Sequence, residues 1–236
     1  MSKEYYMFDV DGTLTAPRRK MSTDFLMKFL SWSQNKHIFL VAGSDLDKVK
    51  DQLPQSVLSR CDGVFCSMAN EFWVKGELIY KNKWEPDIEL ITALTDIRTL
   101  SKYDNKKEIW LEIRTGMVNF SVAGRDSSLA ERERYNTWDN KNKERENIVK
   151  ELSEKFHNLD FRIGGQISID ICPKGNNKSQ ASQWVRKNLG NQIIFLGDSC
   201  HEGGNDRDIF LDVRENEGGV AHEVKSPDDT LEILDA

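Results

Sequence analysis

Short runs of β-branched and aromatic residues alternate with amphipathic stretches in the first and last thirds of the chain. This alternation is typical of a parallel α/β sheet, in which helices connect and cover buried strands. The pattern predicts a Rossmann-like parallel-sheet core. The strands predicted for it are Tyr5–Val10, His37–Ala42, Gln192–Leu196 and Gly219–Val224, and the helices are Thr23–Ser33 and Lys178–Asn188.

Two further helix starts are indicated by capping patterns. Ser44 and Asp47 form an S-x-x-D pattern before Val49, which predicts a helix that begins at Ser44. Near the end of the chain, Ser226 followed by Pro227 predicts the start of a last helix, because proline is favoured at the first helical position.

The middle of the chain has a different pattern, with turn signals between short paired strands. Lys75-Gly76 and Thr115-Gly116 each separate two β-prone runs, as in hairpins. We therefore predict an antiparallel α+β cap at residues 83–173, inserted into a core of residues 1–82 and 174–236. Its predicted elements are the hairpin Glu108–Arg114 with Met117–Val122, the helices Asp87–Leu100 and Lys141–Phe156, and the half-exposed strand Ile167–Ile171.

Composition and charge narrow the classes of function. The 236 residues are 31% charged and 38% hydrophobic, a globular balance, and the net charge of −6 argues against a nucleic-acid-binding protein that works by bulk electrostatics. Apolar runs are too short for a membrane span, and the N-terminal MSKEYYMFDV does not resemble a signal peptide. We expect a cytoplasmic protein without membrane partners. Its four cysteines lack C-x-x-C spacing and are interpreted as ordinary thiols.

The most informative segment is Phe8–Thr15, FDVDGTLT, where a predicted strand ends in two aspartates. Asp9 and Asp11 are two residues apart, so both can face one ligand as the chain leaves the sheet. Ligands of open parallel sheets bind at this end of the strands. Paired carboxylates repel each other unless a cation lies between them, and their oxygens suit Mg²⁺.

This segment resembles the first signature of the haloacid dehalogenase superfamily, and the later signatures follow in order. The resemblance implies that Asp9 is the nucleophile that forms an aspartyl-phosphate and that Asp11 is the general acid and base. It also implies that Ser44 and Lys178 contact the phosphoryl group. The implied Mg²⁺ ligands are Asp9, Asp11 through its backbone carbonyl, Asp198 and Asp206.

Within that superfamily the chain resembles the eukaryotic-type phosphomannomutases. The strings that carry the resemblance are Asp9–Arg18, Gly43–Val49, Arg114–Asn119 and Ile163–Asp170. The resemblance implies interconversion of mannose 6-phosphate and mannose 1-phosphate for GDP-mannose synthesis, with a hexose 1,6-bisphosphate as activator. It also implies a homodimer through the cap.

The predicted substrate-binding residues suit a phosphorylated hexose. Arginine binds phosphate through a bidentate fork, and a mutase must also hold the phosphate that is not reacting. Ser168 and Asp170 share one face of an alternating strand and are expected to contact sugar hydroxyls. The full set is Arg18, Arg114, Asn119, Arg125, Arg132, Ser168 and Asp170.

Other functions use the same signatures. A sugar-phosphate phosphatase also forms an aspartyl-phosphate but releases the phosphoryl group to water. A non-enzymatic phosphate-binding protein is disfavoured because Asp9, Asp11, Lys178 and Asp198 are all present. A phosphoacceptor receiver domain would need only about half this length.

Overall fold

The computed structural model describes residues 3–235, which form two compact units. The core unit contains residues 3–82 and 176–235, and the inserted unit contains residues 83–175. Each unit has its own sheet and its own hydrophobic core. The predicted fold class, a parallel α/β core with an antiparallel α+β insertion, is confirmed.

The core unit contains a seven-stranded sheet in the order β11-β10-β1-β2-β3-β4-β5. Strands β11 to β3 of this order are parallel, whereas β4 and β5 extend the sheet as an antiparallel hairpin. The strands are β1 (Tyr5–Phe8), β2 (His37–Val41), β3 (Gly63–Cys66), β4 (Glu71–Val74), β5 (Glu77–Lys81), β10 (Ile193–Gly197) and β11 (Val220–Glu223).

Helices cover both faces of this sheet because its central strands are apolar on both sides. Phe8 packs with Phe29 and Leu231 on one face, while Met7 packs with Val185 and Val213 on the other. Neighbouring strand residues point to opposite faces, so Met7 and Phe8 serve different cores. The helices are α1 (Thr23–Trp32), α2 (Leu46–Gln52), α3 (Gln55–Arg60), α7 (Ser179–Asn188), α8 (Arg207–Glu215) and α9 (Pro227–Asp235).

The inserted unit contains a four-stranded antiparallel sheet in the order β6-β7-β9-β8. Three helices pack on the apolar face of the sheet, where Val118, Phe120, Ile169 and Ile171 are buried. The elements are β6 (Leu111–Arg114), β7 (Met117–Phe120), β8 (Leu159–Gly164), β9 (Ser168–Pro173), α4 (Ile88–Leu100), α5 (Leu129–Asn142) and α6 (Glu144–Lys155).

Two predictions about helices are wrong. Helix α2 begins at Leu46 and its cap is Asp45, whose side chain accepts a hydrogen bond from the Lys48 amide, so Ser44 and Asp47 form no capping box. The single helix predicted over Lys141–Phe156 is the end of α5 followed by α6, since Lys143 adopts a left-handed conformation with φ 57° between them.

The sequence analysis also did not predict α3, α5, α8, β3 and β8. Helix α5 illustrates the reason, because only Tyr135 and Asp139 are buried along its 14 residues and no apolar stripe marks it. Among residues 3–235, no helix is both long enough and apolar enough to cross a bilayer.

Candidate active site

The carboxyl ends of β1 and β10 bring two aspartates together. Asp9 follows β1, and its amide donates to the carbonyl of Leu196 at 2.9 Å, which fixes Asp9 between two parallel strands. Asp198 follows the end of β10 at Gly197. Because strands of a parallel sheet end at one edge, this position is where open α/β sheets bind ligands.

Lys178 lies at the start of α7 and joins the two acidic segments. Its Nζ lies 2.5 Å from Asp9 Oδ1 and 2.7 Å from Asp206 Oδ1, and its side chain has no exposed surface. The same ammonium group is 3.5 Å from Asn205 Oδ1. A fully buried lysine is stable only when it is paired, so these contacts explain why Lys178 is tolerated inside the core.

Three carboxylates near this lysine have a geometry that suits a metal ion. Each of Asp9, Asp198 and Asp206 offers an oxygen within 4.8 Å of the other two. One ammonium group cannot balance three carboxylates, so the cluster keeps an excess of negative charge. Hard oxygen ligands with excess charge favour a divalent cation such as Mg²⁺, and the residues present therefore fit that ion.

The electrostatics of the cluster show the same excess of negative charge. Burial raises the pKa of Asp9, and the carboxylate of Asp206 raises it further. Burial and Asp206 also raise the pKa of Asp198. Burial alone would lower the pKa of Lys178, but Asp206 and Asp9 outweigh that effect and raise it. A bound cation would oppose the rise in the pKa of Asp9 and of Asp198, since it stabilises ionised carboxylates.

Gly12 allows the turn after β1 to approach the acidic loop closely. Its φ of +83° is favourable for glycine, and a Cβ atom built there would overlap the Asp198 carboxylate. A larger residue would therefore push Asp198 away from Asp9. The glycine of the aspartate motif is required by both backbone conformation and space.

The side chain of Asp11 is held outside the group of three carboxylates. Its Oδ1 accepts hydrogen bonds from the Arg18 amide at 2.6 Å and from Gln52 Nε2 at 2.7 Å. Gln52 was not among the predicted site residues. It lies three residues after Val49 and therefore on the same, buried face of α2. Arg18, whose backbone amide donates to Asp11, is an exposed residue.

Ser44 lies in the turn between β2 and α2, where it is half-buried. Its carbonyl accepts a hydrogen bond from the Ser67 amide at 2.8 Å. A Cβ atom built on the preceding Gly43 would lie 3.5 Å from Asn205 Nδ2, so this turn lies beside the acidic loop. Asn205 thus lies near the Lys178 ammonium group and beside this turn, although it was not among the predicted site residues.

One face of the inserted sheet carries a row of polar residues. Glu112 pairs with Asn119, Asn119 with Asp170, and Asp170 with Arg162 across four adjacent strands. Asn119 Nδ2 donates to Asp170 Oδ1, and Ser168 Oγ donates to the Gly164 carbonyl. The predicted residues Asn119, Ser168 and Asp170 are therefore brought together on one face.

Two of the predicted arginines are held by one glutamate. Arg114 donates through Nε and Nη2 to the two oxygens of Glu112, both at 2.9 Å, and Arg125 Nε donates to Glu112 Oε2 at 3.0 Å. The Arg114 hydrogen bond is the main reason why the pKa of Glu112 is lowered. Glu112 was not predicted, although it lies two residues before Arg114 on the same strand face.

Arg132 supports the segment that carries Arg125. Its Nε donates to the Ser127 carbonyl at 2.9 Å, and its Nη2 donates to the Arg125 carbonyl at 2.6 Å. Arg132 therefore lies close to Arg125, and its Nε and Nη2 donors bind backbone carbonyls.

Comparison with known proteins places these residues in context. Residues 24–236 match the family model described as eukaryotic phosphomannomutase. A phosphomannomutase of Spinacia oleracea is 35% identical over 240 residues, which cover 95% of this chain and 92% of the relative. One of Saccharomyces cerevisiae is 37% identical over 238 residues, with 97% and 91% coverage.

Solved structures share the fold at much lower identity. A haloacid dehalogenase-like hydrolase from Bacteroides thetaiotaomicron aligns with 99% of this chain and 99% of its own, with a TM-score of 0.63 and 11% identity. At that identity the likeness establishes the fold alone.

Proposed function

This chain belongs to the eukaryotic phosphomannomutase family, and we propose that it interconverts mannose 6-phosphate and mannose 1-phosphate. The observation that carries the proposal is the cluster of Asp9, Lys178, Asp198 and Asp206 at the carboxyl end of β1 and β10, in which all but the half-buried Asp198 are buried. Such a cluster offers a carboxylate nucleophile, an ammonium group for a phosphoryl oxygen and ligands for a cation.

The proposed chemistry takes place in two half-reactions. In one half-reaction a carboxylate oxygen of Asp9 attacks one phosphorus of a hexose 1,6-bisphosphate, the P–O bond to the sugar breaks, and Asp11 gives a proton to the leaving sugar oxygen, which yields a hexose monophosphate. In the other half-reaction Asp11 removes a proton from the free 1- or 6-hydroxyl of a hexose monophosphate, and that oxygen attacks the aspartyl-phosphate, releases Asp9 and forms the bisphosphate again. Lys178 stabilises the negative charge of the transferred group, and Ser44 donates to its oxygens.

Mg²⁺ would be held by Asp9, Asp198 and Asp206 together with the backbone carbonyl of Asp11, and would offset the charge of phosphate and carboxylate. A hexose 1,6-bisphosphate is the proposed activator, because it supplies the phosphoryl group that primes Asp9.

The inserted unit is proposed to recognise the rest of the substrate. Arg114, Arg125 and Arg132 would bind the phosphate that is not reacting. Arg18, which belongs to the core unit, is proposed as a further phosphate-binding residue. Asn119, Ser168 and Asp170 would contact sugar hydroxyls through the polar row. This division supports a mutase, since a phosphatase has no need of a second phosphate site.

The proposal is tested by incubating the protein with Mg²⁺ and mannose 1-phosphate, with and without glucose 1,6-bisphosphate. We expect mannose 6-phosphate to form, at a rate that the bisphosphate increases, and free phosphate to be a minor product. Free phosphate as the main product in both conditions would instead support the sugar-phosphate phosphatase.

A chelator arm of the same experiment tests the metal. We expect EDTA to abolish turnover and excess Mg²⁺ to restore it. Full activity in chelated, metal-free buffer would contradict the proposed magnesium site.

Three further assignments stay predictions. Isotope labelling of the source cells would test whether the product supplies GDP-mannose synthesis. Fractionation of the same cells would test the cytoplasmic location. A homodimer through the inserted unit is supported by β6, an edge strand on which Ile113 is 60% exposed. Light scattering over a concentration series tests it, and Ile113→Glu is the variant expected to give monomers.

A further inference from the structure

Glu112 is a half-exposed neighbour of two arginines and has no place in the chemistry proposed above. It accepts two hydrogen bonds from Arg114 and one from Arg125, and these three bonds are 2.9–3.0 Å long. We propose that Glu112 is a positioning residue that holds the guanidinium groups of Arg114 and Arg125 side by side for a sugar-linked phosphate. This inference rests on the proposed function, in which both arginines bind that phosphate.

Arg114 and Arg125 place two positive charges beside the Glu112 carboxylate. Two guanidinium groups that share one acceptor repel each other, and without a carboxylate between them their side chains would separate. Glu112 is ionised at neutral pH, as glutamates ordinarily are, and its hydrogen bond with Arg114 lowers its pKa further. Its charge offsets the repulsion, and its two oxygens fix the direction of each fork.

The elements on both sides of Glu112 are held by backbone hydrogen bonds. Glu112 lies within β6, in register with Asn119 of β7. Arg125 is held through its backbone, because its amide donates to Ile109 and its carbonyl accepts from Arg132. The Arg125 side chain is only 19% exposed. The carboxylate therefore links a strand to a fixed loop, unlike a mobile surface ion pair.

The bonds to Glu112 leave donors for a ligand. A guanidinium group carries five N–H donors, and Arg125 uses only its Nε for Glu112. Its terminal nitrogens are not used in that bond and can form a fork with phosphate oxygens. Pre-organised donors bind an anion more tightly than donors that must first be ordered.

Removal of Glu112 should change the affinity for phosphate in opposite directions, depending on whether Glu112 acts through its charge or by positioning the arginines. A carboxylate beside an anion-binding site repels phosphate, so its removal should tighten binding if charge alone matters. If Glu112 positions the arginines, its removal should weaken binding although the site becomes more positive. The direction of the change therefore separates the two roles.

The experiment is calorimetric titration of the full chain in Mg²⁺ buffer with mannose 1-phosphate and with inorganic phosphate. The variants are Glu112→Ala and Glu112→Gln, and Glu108→Gln is the control because Glu108 is exposed and precedes the same strand. We expect Kd for mannose 1-phosphate to rise roughly tenfold in both Glu112 variants and to stay unchanged in the control. Glutamine accepts from one arginine but presents its NH₂ group to the other, so it does not rescue binding.

A double-variant cycle tests whether the effect passes through Arg125. In an Arg125→Ala background, Glu112→Ala should change Kd by threefold or less, since one of its two partners is already absent. An equal loss in both backgrounds would overturn the positioning role, and so would unchanged or tighter binding in the single variants. The Tm values of all variants should agree within a few degrees. If Glu112→Ala has a clearly lower Tm, the binding comparison is made with Glu112→Gln.

The outcomes separate this inference from the proposed function. A wild-type protein that binds mannose 1-phosphate but does not isomerise it contradicts the proposed reaction and leaves the Glu112 result intact. A wild-type enzyme that isomerises while its Glu112 variants bind normally contradicts the positioning role alone. A wild-type protein that binds neither probe contradicts both.

Discussion

Asp9 is a single residue whose substitution separates chemistry from folding. In Asp9→Asn the amide oxygen still accepts from Lys178, so the buried pair is largely retained, but an amide is not a nucleophile. We expect turnover to fall by a factor on the order of 10³ or more and the phosphoenzyme to disappear from intact-mass spectra. Circular dichroism should be unchanged, and Asp24→Asn, an exposed aspartate on α1, should behave as wild type. Wild-type turnover by a folded Asp9→Asn protein would rule out Asp9 as the nucleophile.

Asp170 provides a second prediction at the residue scale, because burial raises its pKa more than Asn119 and the arginines lower it. The folded state therefore binds the proton more tightly than the unfolded state, and stability falls as pH rises above the unfolded pKa of about 3.9. Asp170→Asn removes this penalty and should raise the Tm of the ligand-free protein at pH 7. The gain should disappear towards pH 4.

The matched control for Asp170 is Asp104→Asn, since Asp104 is exposed in the same unit. Its Tm should follow wild type across the pH series. A lower Tm for Asp170→Asn at pH 7 would show that the carboxylate is stabilised rather than strained by its surroundings.

At the residue scale, sequence motifs predicted part of the candidate site. The remaining residues belong to the site through tertiary contacts that no motif indicates. Asp9 could be found because it ends a predicted strand within a specific motif, whereas Lys178, Asp198 and Asp206 were found because their segments resemble the later signatures of the haloacid dehalogenase superfamily. For Gln52 and Glu112 the spacing from Val49 and Arg114 indicates only which face each residue lies on, and the fold was needed to show what they contact.

At the scale of elements, the break between α5 and α6 makes a specific prediction. Lys143 has φ 57° and ψ 33°, a left-handed conformation that glycine adopts more easily. Lys143→Gly should stabilise the protein by ~0.5 kcal/mol, after subtraction of a few tenths for the exposed ion pair with Glu146. Urea unfolding measures the change. Lys141→Gly within α5 should instead destabilise by ~1 kcal/mol, and a loss of stability in both variants would contradict this reasoning.

The same break explains why the elements of the inserted unit were only partly predictable. Apolar periodicity located α6, whose Ile148 and Leu152 are buried, but the polar residues from Asn136 to Asn147 gave no sign of where one helix ends and the next begins. What decides the break is the Asp139 carboxylate, which accepts from the Arg145 amide and side chain. Such a contact depends on tertiary structure and has no local signal.

At the scale of the whole molecule, the proposed division of labour between the units can be tested with substrates of different size. Arg125→Ala and Arg132→Ala should reduce isomerisation of mannose 1-phosphate at least tenfold, because both residues are proposed to serve the second phosphate. Hydrolysis of p-nitrophenyl phosphate should stay within about twofold of wild type, since this ester has no second phosphate. Equal losses with both substrates would favour a phosphatase, and Arg134→Ala, an exposed arginine on α5, is the control.

The architecture of the core also has a consequence for synthesis of the protein on the ribosome. Strand β1 lies between β2 and β10, yet β10 and Lys178 are encoded after the whole inserted unit. At ~5–20 residues per second, the emerging chain presents β1 with one unpaired edge for on the order of ten seconds or more. During that interval Asp9 lacks its lysine partner and an apolar strand edge is open to other chains. Nascent chains of this protein should therefore depend on molecular chaperones until β10 has left the ribosome, and a circular permutant that begins at residue 176 would place both neighbours of β1 in one continuous segment.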